Sequence, residues 1–181
     1  MISLKIFDQV LANQILIGNE HAFEALINKY KRKVFSYCLN FTNNYHMAED
    51  ITQEIFIKVF QNIHTYDSER ASLSTWIYTI THNICINSLR DKTNYLELDE
   101  TINSTNASTE EQIILNEELD IIRQAIAKLP KDEKALILLK DFLGLKYSEI
   151  AKIGKIPEGT VKSRIHSIRI KIRKMAGEKI D

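Results

Sequence analysis

The stretch from Tyr147 to Lys174, YSEIAKIGKIPEGTVKSRIHSIRIKIRK, concentrates the residue types that bind phosphate. From Gly159 onward it carries Lys162, Arg164, Arg169, Lys171, Arg173 and Lys174 and no acid. Val161, Ile165, Ile168 and Ile172 recur at i, i+4, i+7 and i+11, so the cations share a helix with one buried apolar stripe. Before it, Ile150, Ala151 and Ile153 give a short helix a small apolar face, with Ser148 as the expected N-cap. Gly154 and Pro157 break that helix before Gly159-Thr160 starts the next. A basic amphipathic helix alone also suits a solvated face or a membrane surface. A short helix and a tight turn ahead of it make the pattern a helix-turn-helix, whose second helix is built to lie in a DNA groove.

No competing chemistry has a comparable set of residues. The sequence offers no Gly-rich phosphate loop, no carboxylate pair in an apolar setting, and no Ser or Cys nucleophile with an assignable base. No catalytic residue, cofactor or enzymatic activity is therefore expected. The histidines are scattered without ligand spacing, and Glu49, Asp50 and Glu54 read as a solvated acidic helix face, so no metal site is expected. Cys38 and Cys85 lie far apart, each within an apolar helical pattern, and read as buried thiols rather than a disulfide or metal pair. No apolar run reaches membrane-spanning length, and MISLKIFDQVLANQ lacks a basic region followed by an unbroken apolar one. A cytoplasmic protein without membrane insertion is the expectation.

Supporting this helix is an all-α chain, since only five Gly and two Pro interrupt it and no strand alternation of any length appears. The 181 residues suit two small helical domains. Their zero net charge conceals a partition: residues 1–95 are neutral, 96–120 hold eight acids and no Lys or Arg, and 121–181 carry a net +8. TINSTNASTEE, from Thr101 to Glu111, is polar and aperiodic and reads as a flexible linker. The domains are thus 1–94, an acidic and polar linker 95–111, and 112–181. In the first, Phe23, Leu26, Ile27, Tyr30, Val34, Tyr37, Cys38 and Phe41 predict one helix, and Ala48, Ile51, Ile55, Val59 and Ile63 a second. That second helix presents Asp50, Gln53 and Glu54 together on its other side. A third runs from Ser74, as N-cap, to Arg90, burying Trp76, Ile77, Ile80 and Ile84. Its opposite face carries Thr75, Thr79, His82, Asn83 and Arg90. The last domain opens with a helix bearing Leu115, Leu119, Ile122, Ile126 and Leu129, stopped by Pro130. Another from Asp132 to Leu143 buries Ala135, Leu136, Leu139 and Phe142 and ends at Gly144.

Four segments occur in register: AEDITQEIF (Ala48 to Phe56), STWIYTITHNICINSLR (Ser74 to Arg90), LPKDEKALILLKDFLGLKYSEIA (Leu129 to Ala151) and GTVKSRIH (Gly159 to His166). Together they resemble a bacterial RNA polymerase sigma factor of the extracytoplasmic-function (ECF) class, the minimal type with only regions 2 and 4. The resemblance implies a specificity subunit that binds core RNA polymerase, directs promoter-specific initiation through −10 and −35 contacts, and assists melting. It implies that Asp50, Gln53 and Glu54 dock on the clamp coiled coil of the polymerase β′ subunit. It likens the third helix and its lead-in to the −10 reader, where a base is flipped from the melted strand, with Tyr66, Ser72, Ser74, Thr75, Thr79, His82 and Asn83 as candidates. Trp76 belongs rather to the core. At the −35 element, Thr160 meets phosphate at the helix N-terminus, and Lys162, Ser163, Arg164, His166 and Arg169 are the further DNA candidates. Lys171, Arg173 and Lys174 read as backbone contacts or solubilising charge. The family also implies contact with the β flap and an inhibitory anti-sigma factor, which holds some members at the membrane.

This chain departs from the family's pattern at three places. Lys155 stands where a left-handed Gly is usual, which puts the turn geometry in question. Ser167 replaces a frequent Arg, implying an altered or weaker −35 preference. The basic cluster after region 2 shrinks to Arg90 and Lys92 around Asp91. For the acidic linker, the resemblance offers mimicry of nucleic acid near the polymerase cleft, beside the simpler reading as a solvated tether. The alternative function is a stand-alone helix-turn-helix regulator, which leaves Asp50, Gln53 and Glu54 without a role.

Overall fold

The computed structural model describes the backbone over residues 2–91 and 120–177, with side chains over 6–88 and 120–177. The chain divides into two compact units, Met1–Asp91 and Lys92–Asp181, and the described residues of both are helical and contain no strand.

The first unit has four helices, α1 (Ile2–Leu16), α2 (Glu20–Thr42), α3 (Tyr45–Asn62) and α4 (Leu73–Asp91). A short 3-10 turn, Ile63–Thr65, extends α3. Asparagines punctuate the chain between them. The Asn19 side chain accepts the Ala22 N–H at 3.2 Å and caps α2. At the α2–α3 corner Asn43 takes a left-handed conformation (φ 54°) and donates its N–H to Leu39 O. Asn44 then caps α3 by accepting the Met47 N–H at 2.8 Å. Two adjacent residues thus end one helix and start the next, so α2 and α3 fold back on each other.

α2 packs on α1, α3 and α4. Its stripe of Leu26, Tyr30, Val34, Tyr37, Cys38 and Phe41 is buried as the periodicity predicts, joined by Ala22, while Phe23 and Ile27 are half-buried. Ala48, Ile51, Ile55, Val59 and Ile63 are all buried in α3 and its extension. α4 departs from its predicted register. Leu73, Ile77, Tyr78, Thr81 and Cys85 are buried, and Trp76, Ile80 and Ile84 are only half-buried. The N-cap is Ser72 rather than Ser74, for the Ser72 Oγ accepts the Thr75 N–H at 3.2 Å. This earlier start makes room for Leu73 as the first core residue. α1 has no counterpart in the sequence reading. It buries Ala12 and Ile15 and turns at Gly18 (φ 83°). Cys38 on α2 and Cys85 on α4, distant in sequence, face each other as free thiols with Sγ atoms 3.7 Å apart.

The second unit contains a helix described over 120–127 (α5), α6 (Lys131–Ile137), α7 (Tyr147–Gly154) and α8 (Glu158–Gly177). On α5, Leu115 and Leu119 lie outside the described residues, and Ile122 is 41% exposed rather than inward; Ala125 and Leu129 are the buried residues. α6 continues without a break into a π turn, Leu138–Phe142, closed by the Leu143 N–H on Leu138 O. The π turn corrects another expectation. One extra residue in the turn swings Phe142 out to 44% exposure and brings Leu143 into the core behind Leu138 and Leu139. α6 and α7 both pack on α8, which buries Val161, Ile165, Ile168 and Ala176, with Ile172 half-buried.

Candidate polymerase and nucleic-acid interfaces

The helix-turn-helix is α7 and α8. α7 begins at Tyr147, one residue before the expected cap Ser148, and the Glu149 carboxylate accepts the Lys146 N–H at 2.8 Å to close its first turn. Lys140 fixes the approach, donating to Leu145 O at 3.1 Å and lying 4.6 Å over the Tyr147 ring. At the other end Lys155 adopts the left-handed conformation itself, φ 51° and ψ 40°, and donates its N–H to Ala151 O. The turn that glycine usually makes is therefore kept by a lysine.

Helix α8 starts at Glu158, and the burial of Val161, Ile165 and Ile168 turns Gly159, Ser163, His166, Ser167 and Ile170 outward. Thr160 is half-buried in the first turn, and open space surrounds the position of a Cβ on Gly159. The cations divide into two groups. Arg164, His166 and Arg173 are exposed and enter no ion pair among the described residues. Lys162 pairs with Glu158 at 2.9 Å on its own helix; this pairing raises its pKa. Arg169 reaches back across the unit to Asp141 on the π turn, a two-pronged guanidinium–carboxylate pair with one arm at 3.1 Å. That pairing likewise raises the Arg169 pKa. Lys171 pairs with Glu133 on α6. Sequence reasoning put Arg169 among the DNA contacts; here its guanidinium is paired with Asp141 on the π turn.

In the first unit, Asp50, Gln53 and Glu54 are all exposed on one face of α3. The same face continues into Ile57 and Phe60, both more than half exposed, which sequence reasoning missed. Their i+7 and i+10 spacing from Asp50 was the available signal. Phe60 meets Phe23 with ring centroids 4.9 Å apart, at a cavity of about 490 Å³ lined also by Ile15 and Ile27.

The −10 candidates gather at the start of α4 and along one side of it. Ser72 Oγ lies 2.9 Å from Ser74 Oγ and 2.7 Å from Thr75 Oγ1. Tyr66 and Thr75 are buried, Ser72, Ser74, Thr79 and His82 are half-buried, and Asn83 is exposed. Thr79 donates back to Thr75 O at 2.8 Å, and His82 Nδ1 lies 3.4 Å from the Tyr37 hydroxyl. The Tyr66 ring packs on Trp76, and its hydroxyl is buried with no hydrogen-bond partner. Burial, with help from the Asp8 and Asp67 charges, pushes its pKa up to about 12. Arg90 and Lys92, the thin basic cluster, and the linker at 95–111 lie outside the described side chains.

The chain matches two family descriptions in tandem, Sigma-70 region 2 over residues 26–95 and Sigma-70, region 4 over residues 119–172. The ECF RNA polymerase sigma factor SigW of Bacillus subtilis is 36% identical over 173 residues, spanning 89% of this chain and 92% of that protein. The ECF RNA polymerase sigma-E factor of Escherichia coli K12 is 32% identical over 179 residues, spanning 92% and 93%. The fold is similar to that of CnrH, solved in complex with the cytosolic domain of CnrY: TM-score 0.71 at 19% identity, covering 94% of this chain and 97% of that one. The chain belongs to the sigma-70 family, in its ECF class, and is an RNA polymerase sigma factor, a partner of core polymerase and promoter DNA. These matches disfavour the stand-alone regulator. No helix among the described residues is long and apolar enough to cross a membrane.

Proposed function

We propose that the exposed face of α3, with Asp50, Gln53 and Glu54, docks on the clamp coiled coil of the β′ subunit, and that Ile57 and Phe60 extend the contact. The observation that carries this is the exposure of all three polar residues on one helical face, beside an apolar continuation, Ile57 and Phe60, that stays more than half exposed. The start of α4 reads the −10 element, with Asn83 and the half-buried Ser74, Thr79 and His82 nearest the strand. Tyr66 and Thr75 act from below that surface, and Ser72 chiefly sets where the helix begins. In the second unit, Thr160, Ser163 and His166 meet the −35 element, flanked by Lys162 and Arg164 on phosphates. Arg169 acts through Asp141, holding α8 in place. The protein works in the bacterial cytoplasm without enzymatic activity of its own. An anti-sigma factor holds it in check; the sigma factor RpoE of Bartonella quintana, similar in fold, was solved in complex with the anti-sigma factor NepR.

Run-off transcription with purified core polymerase tests the reading, comparing wild type with Gln53→Ala/Glu54→Ala. Loss of about tenfold or more in core affinity is expected if these residues sit near the centre of the contact. A double variant that binds core as tightly as wild type removes α3 from the interface.

A further inference from the structure

We propose that Asp8, on a helix that carries none of the contacts above, is a positioning residue for the −10 reader. Its carboxylate fixes where α4 begins and so where the loop 66–72 delivers its side chains. This deepens the proposed −10 reading and rests on it.

Asp8 is 3% exposed, the most buried acid among the described residues. A carboxylate survives such burial only where it is bonded or paired. Its Oδ2 accepts the N–H of Leu73 at 3.1 Å, across 65 residues of sequence. Leu73 is the first residue of α4, so this N–H is one of the donors that a helix leaves unpaired at its positive end. The second, on Thr75, is taken by Ser72 from within the loop. The helix therefore starts on two acceptors, one local and one supplied by α1. A local serine suffices to cap a helix; a buried acid from a distant one ties the helix start to α1.

The same acid reaches the loop by a second route. Lys29 Nζ stands 4.0 Å from Asp8 Oδ1, half-exposed and lying over the Phe7 and Tyr30 rings. Oδ1 itself makes no hydrogen bond, and neither does the buried Tyr66 hydroxyl, which feels the Asp8 charge. α1 also packs on the 3-10 turn Ile63–Thr65 that leads into the loop. The loop from Tyr66 to Ser72 is thus anchored to α1 at both ends. One open acceptor, Asp8 Oδ1, and one open donor, the Tyr66 hydroxyl, are buried on this side of the loop.

The test uses the full chain with core polymerase and the variants Asp8→Ala and Asp8→Asn, the latter keeping an acceptor oxygen for the Leu73 N–H. Core affinity is measured by equilibrium binding, and −10 opening by a fluorescent base analogue in the non-template strand. Asp8→Ala is expected to slow opening about five- to tenfold, the size of one lost charged cap, with core affinity held within about twofold. Asp8→Asn should recover part of the rate. Opening at the wild-type rate in Asp8→Ala overturns the proposal, as does a core affinity that falls in step with it. Amide exchange at the start of α4 in the free chain gives an independent readout. Faster exchange there in Asp8→Asn, with α3 unchanged, is expected, and unchanged exchange overturns the tie; this arm still decides if Asp8→Ala fails to fold. If exchange loosens but wild type itself opens no promoter with core, the −10 reading has failed rather than the tie.

Discussion

Replacing Lys155 by glycine should strengthen the helix-turn-helix, which is unusual for a lysine-to-glycine change. Lys155 sits at φ 51°, ψ 40°, where a side chain bearing a Cβ pays roughly 1–2 kcal/mol. Glycine removes that strain and returns about 0.4–1 kcal/mol of it through its freer unfolded chain. The balance is a gain of about 0.5–1 kcal/mol, provided that the Lys155 side chain has no bond to lose; it is exposed and enters no ion pair among the described residues. Amide exchange over α7 and α8 in the full chain should then slow by about two- to fivefold wherever opening passes through this turn. Lys155→Ala keeps the Cβ and removes the charge, so it should leave exchange near wild type. Asparagine, which tolerates the left-handed region better than most residues, should fall between. Equal protection in the glycine and alanine variants would refute the strain argument and transfer the effect to the lost charge. Faster exchange in Lys155→Gly would mean that the lysine holds the turn by a contact of its own.

Three further outcomes follow from charge and burial. Arg164→Ala should reduce the slope of log K against log salt for −35 DNA by about 0.9, one phosphate contact, in the assembled holoenzyme. Arg169→Ala should leave that slope unchanged and destabilise the second unit by about 0.5–1 kcal/mol, since its guanidinium is committed to Asp141. Equal slopes for both variants would return Arg169 to the DNA. The raised pKa of Tyr66 favours its neutral form in the folded state. Its stability contribution is therefore complete below the unfolded pKa near 10 and is lost as pH climbs toward about 12. Tyr66→Phe should flatten the alkaline fall in stability by about 1–2 kcal/mol, read from denaturant midpoints against pH. An unaltered slope would place the Tyr66 hydroxyl in water.

The core of α2 and α3 was legible because both helices keep a strict apolar period and bury the same stripe along their length. Errors arose where local backbone chemistry overrides that period. A π turn is invisible to a 3.6-residue template, so Phe142 was placed inside and Leu143 was not seen as its replacement. The α4 register slipped because Ser72 and Ser74 are equally good caps by type. Only a distant acceptor, Asp8 on the Leu73 N–H, separates them. α1 was unread since its apolar residues include several left exposed, Ile6, Phe7, Val10 and Leu16 among them. Among the candidate site residues, the shared exposed face of Asp50, Gln53 and Glu54 was plain from spacing. The pairing of Arg169 and Lys171 with acids was not, because their partners on the π turn and α6 lie 28 and 38 residues away.

Those ion pairs bear on why a DNA reader of this kind works as a subunit. The positive excess of residues 121–181 suggests a broad electrostatic footprint. Within the described residues, though, Arg123, Arg169 and Lys171 are each answered by an acid, and Lys162, beside Arg164, already shares its charge with Glu158 on the same helix. What remains on the outward side of α8 is a short set of cations around Ser163 and His166. Few phosphate contacts mean weak binding with a shallow salt dependence, and the neutral first unit adds little long-range attraction. Joining two weak readers multiplies their affinities only where both can engage at once, and that requires their spacing to match the promoter. Core polymerase, which a sigma factor binds, is the partner able to hold both units at the promoter's spacing. The ion pairs that hold α8 to α6 and its π turn leave few cations for phosphate, so weak promoter binding by the isolated chain is expected, and a gel shift of the free chain as tight as that of the holoenzyme would refute this.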